Sequence, residues 1–345
     1  MRPRPGPIQI ARQTPPAEGP IRLNLLANPY GPSIRVQEAL ASADDLHLPQ
    51  HDRQRRVQER LAAMVGLSPT WLVLANGIDD LYRRVLIWQR ERSAVVTFPP
   101  TDATADRIAS QHDFDVRRVG RTHRFTLDLE AERGGLVPEQ SIAVVMSPNE
   151  PTGTELSSLD AVRLSRICRL VVIDERHGEY GARTLVPLAR EFDNLIVARS
   201  METWAALAGF PLAFAVAPPR IAAQLAECGQ TSAIPAGALI AAEATLDDIA
   251  YMRATVQRVR EEKARLYRML RKLNMVRPVP SWANFLLARV ERGNAGWFHR
   301  ELADRSIYSC LPDQAELDGY LRLSASRPEH TLALKHALIE IATAL

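Results

Sequence analysis

Lysine is what this chain does without. All but three of its 43 basic residues are arginine, and Lys263, Lys272 and Lys335 all lie in the last quarter of its 345 residues. Chemistry that needs a side-chain amine earlier in the chain is thereby excluded. Cysteine is scarce too: Cys168, Cys228 and Cys310 are far apart and odd in number, which excludes a disulfide framework and suits a reducing compartment. No run approaches the roughly 20 apolar residues that cross a bilayer, and the N-terminal stretch lacks the apolar centre of a signal peptide. A cytoplasmic protein without a membrane partner is expected. Charge of one sign is also missing, since 43 basic residues face 40 acidic ones for a net charge of +3. With no basic block, no nucleic-acid surface is expected, and small solutes or other proteins are the expected partners. The 8 histidines show no metal-ligand spacing, so no metal is expected.

What is present reads as a packed protein. A hydrophobic content of 46% in a chain of this length suits one large domain and a smaller one. Residues 1–20 form a proline-rich arm, because proline removes backbone donors and disfavours helix in the residue before it. From residue 34, helix-period segments such as VQERLAAMVGL (57–67) alternate with apolar runs such as SIAVVM (141–146), LVVID (170–174) and LIVARS (195–200). That alternation predicts an α/β fold: a three-layer α/β/α large domain with a mostly parallel sheet over 21–235. Ligands of such sheets bind beyond the carboxyl ends of the strands, where this chain puts its polar clusters. After Pro235 a long charged amphipathic helix, then short strands in NFLLARV and YLRLSAS, predict a smaller α+β domain over 236–345, against which N-terminal residues would pack.

Six motifs then occur in order: LNLLANPYGPS, PNEPTGTELS (148–157), VVIDERHGEYG (171–181), NLIVARS running into LAGFPLAF, SWANFLLARV (281–290) and YLRLSAS (320–326). Together they resemble the fold-type I pyridoxal-phosphate aminotransferases, most of all the histidinol-phosphate aminotransferase group. The resemblance covers residues 20 to 345. It implies a homodimer whose active-site lysine forms a Schiff base with the cofactor and shuttles a proton at the substrate α-carbon.

Set on these motifs, the chemistry is missing where the scaffold is kept. The lysine position is Thr203, whose hydroxyl cannot form an imine, and the phosphate-gripping arginine is Pro211. Glu150 stands for the asparagine before Pro-Thr-Gly, His177 for the tyrosine three residues past the ring-nitrogen aspartate, and Asp102 for the stacking aromatic. Leu48 takes the place of the tyrosine lent by the partner subunit, and Cys310 that of an arginine expected to read a phosphorylated substrate. Ser200 keeps a phosphate-side hydroxyl, but Glu202 adds a carboxylate beside it. Two matches survive: Asp174 for the ring nitrogen and Arg322 for the substrate α-carboxylate.

These losses point to an aminotransferase-like protein without lysine-dependent transamination, and no bound cofactor is expected. Asp102, Glu150, Asp174, His177 and Glu202 are expected to converge at the strand ends. They would hold a divalent metal or a cationic amine, or else pair with arginines such as Arg176 and Arg199 and fill the vacated space; the second reading is favoured. Three functions stay open. One is a pseudoenzyme that binds an amino-acid-like ligand, as a homodimer or beside an active relative. The others are an enzyme repurposed within a biosynthetic pathway and a working aminotransferase.

Overall fold

The computed structural model of the chain describes residues 19–89, 93–129, 140–229 and 233–343. The proline-rich arm lies outside them, apart from residues 19 and 20. In chain order the strands are β1 (Ile21–Arg22), β2 (Leu72–Ala75), β3 (Ala94–Thr97), β4 (Asp115–Arg118), β5 (Ser141–Met146) and β6 (Leu170–Asp174). They continue with β7 (Leu195–Ser200), β8 (Ala213–Val216), β9 (Val276–Pro278), β10 (Phe285–Val290), β11 (Ile307–Tyr308) and β12 (Tyr320–Ser324). The helices are α1 (Ile34–Ala41), α2 (His51–Met64), α3 (Gly77–Trp88), α4 (Thr104–Gln111), α5 (Ser158–Ile167) and α6 (Pro219–Cys228). After them come α7 (Ala236–Asp247), α8 (Ile249–Lys272), α9 (Ala295–Asp304) and α10 (Pro328–Thr343).

Seven strands form the main sheet in the order β2-β8-β7-β6-β5-β3-β4, parallel throughout except that β8 runs against both its neighbours. Its central strands are buried along their whole length because both faces are covered, which is why they read as unbroken apolar runs. The two-residue period of a strand divides them between two cores. Val171, Ile173, Leu195 and Val197 pack under Val57 and Leu61 of α2, Leu164 of α5 and Leu239 of α7. Leu170, Val172, Ile196 and Ala198 pack on the other face under Leu81 and Val85 of α3, Ile108 of α4 and Leu225 of α6. This is the three-layer α/β/α arrangement expected.

A third core lies on the antiparallel sheet β12-β10-β9, where Leu286, Ala288, Leu321 and Leu323 meet Leu270, Phe298, Leu334 and Leu338. Helix α8 joins the two regions. Met252, Val256 and Val259 in its first half belong to the large core, and Leu266 and Leu270 to the small one. At 24 residues it is about 36 Å long. The long amphipathic helix read from the sequence begins earlier than α8 does, because the chain breaks at Asp248 (φ −119°, ψ 39°) and the preceding turn belongs to α7. No helix of the described residues is long and apolar enough to cross a membrane.

Candidate active site

Parallel strands deliver their last residues to one edge, and Asp174 is among them. Asp174 ends β6 in register with Met146 and Ala198, fully buried. Its Oδ2 accepts from Tyr82 Oη (2.6 Å) and from Arg176 Nε (2.9 Å) and Nη2 (2.6 Å), and its Oδ1 from Arg176 N (2.9 Å). Burial by itself would raise the Asp174 pKa, yet the guanidinium of Arg176 and these hydrogen bonds hold it below the ordinary value. Burial and the neighbouring Asp174 charge push the Tyr82 phenol well up, so it stays a donor. Tyr82 was missed from the sequence. The available signal was a tyrosine on the apolar face of α3, beside Ile78, Leu81 and Val85, where a buried hydroxyl needs a partner.

Asp102, at the start of α4, faces the same cation, with Arg176 Nη1 3.6 Å from its Oδ1. Thr203 turns away from any ligand role: its Oγ1 donates to the backbone carbonyl of Arg176 at 2.8 Å. Thr203 thus fastens the loop that carries Arg176. Ser200 Oγ donates to Glu202 Oε1 at 3.0 Å and in turn accepts from Glu202 N. Glu202 and Pro211 close on the first turn of α3. A Cβ added at Gly77 (φ +81°) would lie 3.5 Å from Glu202 Oε1 and 3.3 Å from Pro211 Cβ. A helix start favours a negative charge there, while burial raises the Glu202 pKa.

The second cluster forms where the two regions meet. Glu150 pairs with Arg322 Nη1 and lies 3.5 Å from His177 Nε2. Burial opposes the Glu150 charge, but the His177 hydrogen bond and the Arg322 charge pull its pKa down to about 2. Arg322 also donates to Asn24 O (2.7 Å) and sits 5.6 Å from the Phe285 ring centre, against which His177 packs edge-on at 5.5 Å. Arg322 Nε and His177 Nδ1 are buried with no partner among the described residues. Asn149, another residue the sequence reading passed over, braces the loop. Its amide donates to Pro100 O and Thr152 Oγ1, and its Oδ1 accepts from Thr101 and Arg121.

The five residues expected to converge therefore divide. Asp102 and Asp174 share Arg176, His177 and Arg322 share Glu150, and Glu202 binds Ser200. Arg199 pairs instead with Glu179, at 2.8 Å. Leu48 is exposed, and Cys310 meets Arg322 only through backbone hydrogen bonds. Lys263 is half-buried and donates to Ser281 O at 2.7 Å. Burial lowers its pKa to about 8.

Residues 21–338 match the family model for aminotransferase class I and II. The chain belongs to that family. It is 32% identical to the histidinol-phosphate aminotransferase of Roseiflexus castenholzii over 95% of this chain and 91% of the relative. With that of Dehalococcoides mccartyi it shares 29% identity over 93% of this chain and 90% of the relative. The fold superposes on the histidinol-phosphate aminotransferase of Sinorhizobium meliloti with a TM-score of 0.83 at 22% identity, covering 94% of this chain and 91% of that one. The S. meliloti structure holds pyridoxal-5'-phosphate. These findings overturn the expectation that no cofactor belongs here: pyridoxal phosphate is the cofactor of this aminotransferase family.

Asp174, Ser200 and the start of α3 offer groups that fit that cofactor. Asp174 offers the buried carboxylate that a protonated ring nitrogen requires. For a phosphate there are the Ser200 hydroxyl and the start of α3, where Asn76 forms no side-chain cap and its Oδ1 is buried without a partner among the described residues. When bound, the cofactor would supply an electron sink for bonds broken at an amino-acid α-carbon. Thr203 gives no imine.

Proposed function

We propose that this protein is a histidinol-phosphate-aminotransferase-like member of the family that has given up lysine-dependent transamination and binds an amino-acid-like ligand. Thr203 carries the reading: the position of the Schiff-base lysine holds a hydroxyl already spent on the Arg176 carbonyl. The ligand's carboxylate is read by Arg322, whose buried Nε has no partner among the described residues. To gain a second donor it would displace Glu150 from Nη1. Cys310 adds no cation beside Arg322, which favours an amino acid without a phosphate. The protein acts in the cytoplasm as a homodimer, or in a heterodimer with an active relative.

The test uses the intact protein with pyridoxal phosphate and an amino-acid donor. The expected outcome is no keto-acid product and no imine absorption band that borohydride can fix. A stoichiometric band that borohydride fixes, together with turnover, would overturn the proposal. Peptide mapping would then have to place the label on Lys263, Lys272 or Lys335, the only lysines in the chain.

A further inference from the structure

A cavity of about 690 Å³ opens on the side of the small sheet that faces the large core, apart from Asp174. One wall is the turn around Phe125 with residues 154–157. The other is built from β9, β10 and the end of β12. Its volume suits a small molecule.

The strand register places an unusual pair in that wall. Arg277 of β9 stands directly across from Arg289 of β10, and both side chains line the cavity. Like charges in a cross-strand pair destabilise a sheet. Neither guanidinium has an ion-pair partner among the described residues. The acids of the wall do not answer them: Glu155 accepts from Ala182 N and lies 3.7 Å from Arg183, and Glu291 pairs with neither. Two adjacent, unneutralised guanidiniums suit a phosphate or carboxylate, whose oxygens match their forked donors.

The same row continues into aromatic surface. Arg289 stands opposite Tyr320 of β12, and the Tyr320 ring meets Phe125 edge-on at 6.0 Å and 74°. Trp282 completes the wall, 39% exposed. An exposed indole next to a cationic pair gives a planar ring an apolar face beside its anionic group.

We propose that this cavity is a second ligand site, for a small aromatic anion whose phosphate or carboxylate lies on Arg277 and Arg289 and whose ring lies against Trp282 and Tyr320. The intact protein is titrated by calorimetry with phenyl phosphate, phenylacetate and benzyl alcohol. At least one of the two anions binds at one per chain, and the stronger of them identifies the anionic group. The neutral alcohol binds at least 10-fold more weakly. Arg277→Ala/Arg289→Ala weakens the anion at least 10-fold, Arg277→Lys/Arg289→Lys weakens it less, and Arg322→Ala leaves it unchanged. Circular dichroism checks the fold of each variant, and Arg277→Gln/Arg289→Gln replaces the alanine pair if that pair unfolds. Failure of both anions to bind, binding indifferent to Arg277 and Arg289, or binding lost in Arg322→Ala instead would each overturn the proposal.

Discussion

The strand-end site and the small-sheet cavity use arginine in opposite ways. At the strand ends the chain answers its own charges: Arg176 lies on Asp174 and Arg322 on Glu150, each within a buried or half-buried pair. Across the small sheet Arg277 and Arg289 face each other with no carboxylate between them. Removing one partner of a buried ion pair leaves the other charge stranded, so the first region is held together by its charges. An exposed like-charged pair adds nothing to the fold, so the second is tolerated by it. The contrast teaches that charge alone does not mark a binding site; charge that the chain leaves unanswered does.

The largest test of that contrast is Asp174→Ala. It strands Arg176 and Tyr82 at the end of β6, and a loss of about 3–5 kcal/mol is expected in urea unfolding. A loss under about 1 kcal/mol would show that the pair is not structural.

Glu150→Gln probes the second pair through pH. The folded pKa of Glu150, about 2, lies below the ordinary value of 4.5, so the unfolded chain binds more protons between these values. The stabilisation is present above pH 4.5 and is lost as pH falls toward 2. Its size is on the order of 3 kcal/mol. Wild type and Glu150→Gln should therefore converge in stability as the pH drops through that window, and parallel curves would refute the assignment.

A smaller effect is expected at Thr203. Thr203→Ala removes the hydrogen bond to the Arg176 carbonyl and should cost about 1 kcal/mol. Denaturant midpoints measure it, and no change would mean that the hydroxyl does not fasten the loop.

At the bottom of the scale, Arg277→Ala without ligand should alter stability by no more than about 0.5 kcal/mol and not lower it, because a like-charged neighbour is removed. A clear loss of melting temperature would place Arg277 with the structural arginines and end the contrast.

Much of the fold was legible because strand and helix periods are local. The unbroken runs 141–146, 170–174 and 195–200 became the buried centre of the sheet, and the motif order carried the family. Asp174, Thr203 and Arg322 were singled out by their motif positions. Their partners were not all so. Arg176 follows Asp174 by two residues and was within reach as a pairing cation. Tyr82, 92 residues away from Asp174, was not. The loop brace through Asn149 and Arg121 joins segments 28 residues apart and depends on a turn whose path no period encodes. The break at Asp248 marks a change of character, from α7, apolar on all sides, to the charged amphipathic α8.

The amino-acid sequence by itself determined that no lysine precedes residue 263 and that Thr203 forms no imine in any conformation. It also determined the sheet, because alternating residues must bury on opposite faces. Only the tertiary structure decided which charges meet. Carboxylates expected to share one pocket were divided between Arg176, Arg322 and Ser200, and Arg277 was set against Arg289. Pairing between distant segments follows from strand register and helix packing, which bring side chains within hydrogen-bond range whatever their separation along the chain.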